Sequence, residues 1–172
     1  TICAGGSLTL TAPAGAAYVW SNGASTQSIA VTTAGSYTVA VNANGCTATS
    51  APTVVTVNAL PTATITAAGS TTLCQGSSVV LTASPATSYL WSTGATTPSI
   101  TVANAGNYSV ALTTNGCSAT SAVTTVNVTP LPTPSVSVIG ATTFCQGSSV
   151  TLTASTAGAY LWSNGATTQT IV

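Results

Sequence analysis

Few side chains in this sequence can form a covalent bond or carry a proton. Its 172 residues include no Asp, Glu, Lys, Arg or His. What remains is five cysteines, five tyrosine phenols and many Ser and Thr hydroxyls. General acid–base catalysis needs a group titrating near neutrality, usually imidazole or carboxylate. A Ser or Thr nucleophile needs a neighbouring base to activate it. Neither is present, so the segment is expected to have no catalytic residues, no cofactor and no enzymatic activity. Calcium sites are built mainly from carboxylates, and nucleic-acid binding needs Lys or Arg against phosphate. Nucleic-acid binding is excluded, as is attraction to anionic lipid, and stiffening by calcium is not expected. A lysine–asparagine isopeptide staple is impossible without Lys.

The cysteines are the candidates for covalent chemistry. Cys3 and Cys46 are 43 residues apart, as are Cys74 and Cys117. A disulfide within each such pair is the simplest reading, with Cys145 pairing to a residue after Val172. Closing a loop of that length stabilises by ~4 kcal/mol in the chain-entropy model. The alternatives are a metal site and a free reactive thiol. The first lacks C-x-x-C spacing and histidine; the second lacks a basic neighbour. Disulfides belong to an oxidising, extracellular compartment.

The elements that must position these cysteines repeat along the chain. Cys3, Cys74 and Cys145 are spaced 71 residues apart, and so are Trp20, Trp91 and Trp162. Cys46 and Cys117, Tyr37 and Tyr108, and Leu60 and Leu131 keep the same step with no insertion. The reading is a partial repeat at 1–59 lacking its first strand, a complete repeat at 60–131 and a truncated repeat at 132–172. A domain of this size buries only about 60% of its unfolded surface and is marginal alone. The linker prolines Pro61, Pro130, Pro132 and Pro134 fix φ and favour a semi-rigid, extended connection. Repeats stacked end to end through such linkers would form a rod.

Within residues 60–131 the pattern is that of strands. Val79, Leu81 and Ala83 alternate with polar neighbours. Tyr108, Val110 and Leu112 face one way while Ser109, Ala111 and Thr113 face the other. Ile65 with Ala67, a strand that begins at Tyr89-Leu90-Trp91, Ser99 to Val102 and Cys117 to Val128 supply the remaining strands. Period-two alternation of β-branched and aromatic residues marks strands, and no stretch has a helical period. Asn115-Gly116, Asn22-Gly23 and Asn164-Gly165 are expected tight hairpin turns, where both central residues need positive φ. The expected fold is all-β, a sandwich of short strands. The hydrophobic fraction of 45% excludes disorder, and no apolar run is long enough to cross a membrane.

Trp20, Trp91, Trp162, Tyr37 and Tyr108 are the core aromatics of this reading. Tyr89 and Trp91 share a strand face and could instead stack a sugar, but a sandwich commonly needs a core Trp. Tyr108, after Gly106, reads as core or corner packing.

Together these residues resemble a known group. The run Tyr89-Leu90-Trp91-Ser92-Thr93-Gly94-Ala95-Thr96-Thr97, the run Ala105-Gly106-Asn107-Tyr108-Ser109-Val110, the triplet Asn115-Gly116-Cys117 and the opening Cys74-Gln75-Gly76-Ser77-Ser78-Val79 carry the likeness. They look like the Ig-like and polycystic-kidney-disease-type (PKD-like) tandem repeats of giant surface proteins of gliding Bacteroidota. The likeness covers the whole chain. It implies an extracellular adhesin or filament at the cell surface, exported by type IX secretion. The chain departs from the PKD pattern where the Trp is followed by Ser-Asn-Gly or Ser-Thr-Gly rather than an acidic turn.

The leading functional expectation is the structural shaft of a surface filament, whose uncharged repeats pack laterally with identical chains in a homo-oligomeric fibre. Near-zero net charge favours such association. The alternative is a carbohydrate- or surface-binding adhesive module, with glycans or a prey or host surface engaged by other parts of the chain. A weaker idea is ice binding by Thr62-Ala63-Thr64-Ile65-Thr66. The sequons at Asn107 and Asn127 carry little weight in a bacterial protein.

Overall fold

The computed structural model describes residues 1–172, which form two compact units, Thr1–Val128 and Thr129–Val172. It is all-β. The first unit opens with β1 (Ile2–Cys3), β2 (Leu8–Thr11), β3 (Ala17–Trp20), β4 (Ser28–Val31) and β5 (Gly35–Tyr37). It continues with β6 (Val39–Ala43), β7 (Cys46–Thr49), β8 (Thr53–Val55) and β9 (Val57–Asn58). Then come β10 (Ile65–Ala67), β11 (Thr72–Cys74), β12 (Val79–Ala83), β13 (Ser88–Trp91) and β14 (Ser99–Val102). The last four are β15 (Gly106–Tyr108), β16 (Val110–Thr114), β17 (Cys117–Thr120) and β18 (Thr124–Thr129). The second unit holds β19 (Val136–Ile139), β20 (Thr151–Ala154) and β21 (Thr170–Ile171).

Residues 65–129 fold into two facing sheets. One has the order β10-β12-β14. The other has β13-β16-β17, continued by β11-β18-β15. β15 and β16 are halves of one strand broken at Ser109. β17 and β18 are halves of another, broken where Ser121 turns its hydroxyl inward. Ser121 Oγ accepts from Val110 N at 3.2 Å and donates to Ala122 O at 2.8 Å, so the kink leaves no orphaned backbone donor there.

Alternation then builds the core. Val79, Leu81 and Ala83 point inward from β12, and Trp91, Tyr108, Val110, Leu112 and Val126 meet them from the opposite sheet. Leu81, Val110 and Leu112 are fully inaccessible. Each such side chain contributes roughly 1.5–3 kcal/mol by leaving water. Tyr108 Oη donates to Asn104 O at 2.9 Å, so the ring fills the core while its hydroxyl closes the preceding turn. A buried Trp at the end of β13 and a tyrosine corner in β15 are immunoglobulin-like features. With this sheet order, the fold is an Ig-like β-sandwich. Val110 stands where antibody domains carry the second cysteine of their inter-sheet disulfide, two residues after the corner Tyr.

Residues 2–58 repeat this plan without a counterpart of β10. Trp20, Ile29, Val31, Tyr37, Val39 and Val55 form their core, and Tyr37 Oη donates to Thr33 O at 3.0 Å.

Three local expectations are corrected. Tyr89-Leu90-Trp91 ends its strand rather than beginning it. Gly94 N donates to Trp91 O and Trp91 N to Ala95 O, both at 2.8 Å, which turns the chain at once. Of the Asn-Gly pairs, Asn44-Gly45 (φ 52° and 81°) and Asn115-Gly116 (φ 52° and 78°) have both residues at positive φ. At Asn22-Gly23 and Asn164-Gly165 only the glycine does (φ 86° and 84°), so these are bulged turns, not two-residue hairpins. Finally, Trp162 is only half-buried and no strand forms at Tyr160–Trp162. β13 is held by pairing Trp91 with Val110 on β16, and residues 132–172 contain no counterpart of β16.

Leu112→Ala is expected to destabilise the first unit by roughly 2–5 kcal/mol, whereas Leu90→Ala, 56% exposed on the same sheet, should cost under about 0.5 kcal/mol. Tyr108→Phe should lose about 1 kcal/mol with the lost hydrogen bond. Denaturant unfolding of the three variants measures this ranking.

Candidate functional site

Two of the five cysteines meet at one place, the junction between residues 2–58 and residues 65–129. β1 runs parallel to β9 with Cys3 beside Asn58. Asn58 ends the last strand of its sandwich, and Ala59-Leu60-Pro61 leads onward. On the far side of this linker, Asn115-Gly116 turns the chain from β16 into β17, and Cys117 is the first residue of β17, paired with Thr114. Cys3 and Cys117 are disulfide-bonded, with Cα atoms 5.6 Å apart and 114 residues between them in sequence. Asn58 Nδ2 donates to Asn115 O at 2.9 Å alongside the bond. Cys3 Sγ lies 3.7 Å from Gly116 O, and Cys117 Sγ lies 4.0 Å from Asn58 O.

This corrects the expected pairing of Cys3 with Cys46 and of Cys74 with Cys117. Cys46 starts the strand that runs to Asn58, and Cys3 sits beside Asn58 at its other end. Twelve residues of extended chain put the two cysteines on the order of 40 Å apart. A disulfide needs Cα atoms within about 7 Å. Cys46, Cys74 and Cys145 are unpaired and exposed. The junction also changes burial at matched positions: Cys117 is 1% exposed, while Cys46, after the same Asn-Gly turn, is open to solvent.

The bond closes a far longer loop than the expected one. In the chain-entropy model it stabilises the linked state by about 5 kcal/mol. It also ties the stability of one sandwich to its neighbour, since neither can unfold without leaving the other constrained.

The aromatics do not form a binding platform. Trp91 is 2% exposed and its Nε1 donates to Thr97 O at 2.8 Å. Trp20 does the same with Thr26 O at 2.8 Å. Tyr89 is partly buried against the same core, and its Oη accepts from Ala86 N at 3.0 Å. Trp162 and Tyr160 line an open groove of about 600 Å³ with Pro132, Ser135 and Val136. This is the core side of a half-sandwich, where the counterparts of Val110 and Leu112 would pack. Thr62, Thr64 and Thr66 are solvated, while Ala63, Ile65 and Ala67 turn to the core.

One surface feature was not singled out from sequence. Val19, Leu90 and Leu161 occupy the same position in each 71-residue step and are 63%, 56% and 82% exposed. In β13 Leu90 lies opposite Ala111, which lies opposite Thr120, and in β3 Val19 lies opposite Ala40, then Thr49. Each row crosses an outward sheet face that carries no charge. The signal in the sequence was the middle residue of Tyr-x-Trp, apolar in all three copies.

No family model matches the chain, and no curated protein matches it. Among solved structures it aligns with tandem Ig domains. The N-terminal four Ig domains of Dscam1 isoform 6.9 align over 75% of this chain and 42% of that one, at 18% identity and a TM-score of 0.34. Isoform 7.44 gives 17% identity over 75% and 43%, also at 0.34, and isoform 8.4 gives 20% over 75% and 43% at 0.33. The chain thus spans about two fifths of those structures. Likenesses this loose bear on neither activity nor partners, and the strand order within residues 65–129 carries the fold.

Alkylation of the native chain should label Cys46, Cys74 and Cys145 and spare Cys3 and Cys117, as read by mass spectrometry of the peptides. Because no carboxylate or imidazole side chain exists to change its protonation on folding, unfolding free energy should be flat between about pH 4 and about pH 7. Denaturant titrations across that range check it.

Proposed function

We propose that the chain is part of the shaft of an extracellular surface filament, in which disulfide-joined Ig-like sandwiches pack laterally against identical chains. The observation that carries this reading is the exposed apolar residue recurring at Val19 on β3 and Leu90 on β13, each on an uncharged sheet face. Natural sheets commonly resist edge association with charged residues, Lys above all. This chain has none to use, so copies meet without electrostatic repulsion. The repeats act by shape and cohesion and perform no catalysis. The interdomain disulfide fits an oxidising compartment outside the cytosol. Placement at the cell surface and export by type IX secretion rest on the resemblance of the repeat to giant surface proteins of gliding Bacteroidota.

A sugar-stacking platform on Trp91 is excluded, because Trp91 is enclosed between the sheets, so an adhesive module would have to use the exposed Thr and Asn of its faces and loops. Trp91→Ala should therefore unfold the sandwich at a cost of roughly 3–5 kcal/mol rather than abolish sugar binding in a folded protein.

Replacing Val19 and Leu90 together by Lys should leave the unfolding midpoint nearly unchanged and abolish self-association in sedimentation and negative-stain images. Wild-type chains that stay monomeric at high concentration, or lysine variants that still form bundles, would refute lateral packing.

A further inference from the structure

Cys3 lies at the end of its sandwich where the next repeat follows, Cys117 lies at the end of its own where the previous repeat precedes, and the two are bonded across the junction. Cys74 is the counterpart of Cys3. It ends β11, which hydrogen-bonds to β18 with Asn127 N donating to Thr71 O at 2.8 Å. Cys46 is the counterpart of Cys117 and follows Asn44-Gly45, whose φ angles of 52° and 81° nearly repeat those of Asn115-Gly116. Both are exposed, unbonded thiols. The linker after the complete repeat, Pro130-Leu131-Pro132, has the same length as Ala59-Leu60-Pro61, so the following sandwich begins the same number of residues beyond Cys74 as beyond Cys3.

The geometry points to a disulfide ladder: every junction carries one bond, from the first cysteine of a repeat to the cysteine that follows the Asn-Gly turn of the next repeat. Cys74 is then the docking thiol for the Asn-Gly-Cys turn of a completed third repeat, 114 residues further on. Cys145 serves the junction after that in the same way, and Cys46 receives the bond from a preceding repeat. Asn58 is replaced by Thr129 at the second junction, so the ladder rests on the sulfur positions and not on the Asn58 side-chain bond. In such a ladder the sandwich cores hold no disulfide, and consecutive domains are covalently joined both by backbone and by sulfur.

The bond forms by exchange with a small-molecule disulfide such as oxidised glutathione. The Cys74 thiolate attacks one sulfur of that disulfide, forming a mixed disulfide and releasing one small thiolate. The second cysteine, as its thiolate, attacks the Cys74 sulfur and releases the other. Two cysteine protons are lost and two small thiols are gained, so the small disulfide is the species reduced.

The test extends the 172-residue chain with a copy of residues 102–129, which completes the third repeat and supplies its Asn-Gly-Cys turn. After folding with oxidised and reduced glutathione, the unpaired thiols are alkylated and the disulfides mapped. The expected result is a peptide joining Cys74 to the added cysteine, loss of Cys74 alkylation, retention of Cys3–Cys117, and alkylation of Cys46 and Cys145. In the Cys74→Ser variant the added cysteine should become alkylatable. A bond between the added cysteine and Cys145, or full alkylation of Cys74 in a chain that keeps Cys3–Cys117, would overturn the ladder. If this extension fails to fold, shown by loss of the Cys3–Cys117 peptide, an extension copied from residues 31–58 is read by the same criteria. The map reports pairing alone, so it separates this inference from lateral assembly.

Discussion

The direction of two neighbouring strands governs this molecule. β1 lies parallel to β9, and the chain reaches Asn58 only after traversing the sandwich from Cys46. One cysteine of each repeat is therefore held at each end, too far apart to bond within the repeat. Two consequences follow. The core must be sealed without a covalent tie, which Trp91 and the Tyr108 hydroxyl bond accomplish between the sheets. And the covalent tie becomes available at the junction between neighbours, beside the Ala59-Leu60-Pro61 linker.

A junction held this way differs from one held by charge or calcium. Ion pairs weaken with salt, and a calcium site needs carboxylates that this chain lacks. The Cys3–Cys117 bond and the Asn58 side chain depend on neither. An uncharged chain can thus keep its neighbours in register while leaving its faces bare for cohesion. The proposed filament relies on this separation, with covalent bonds along the chain and apolar, hydroxyl-bearing faces across it.

Much of the fold was legible because short strands with one buried face write their orientation in alternate residues. Val79, Leu81 and Ala83, and Tyr108, Val110 and Leu112, all turn inward as their spacing indicates. The cysteine pairing was not legible. Equal spacing of Cys3 to Cys46 and Cys74 to Cys117 says that each pair belongs to one repeat, but not at which end each member lies. That depends on the parallel pairing of a two-residue strand, β1, too short to show a pattern. The turn after Trp162 and the strand before it separate local from tertiary control. Trp162 N still donates to Ala166 O at 2.9 Å, because Ser163-Asn164-Gly165 closes that turn unaided. The strand fails there because a ladder needs a partner. The residues Val19, Leu90 and Leu161 were visible as a repeated apolar position, but only the sheets showed that Val19 and Leu90 face outward.

The central claim is that the covalent path between neighbouring sandwiches runs through sulfur from Cys3 to Cys117. Pulling single chains by their ends, before and after adding a thiol reductant, tests it most directly. The bond hides 114 residue steps from the pulling force, so reduction should release about 400 Å of additional contour length. Bonds within the repeats would hide only two loops of 43 steps, and a gain near 300 Å would contradict the account.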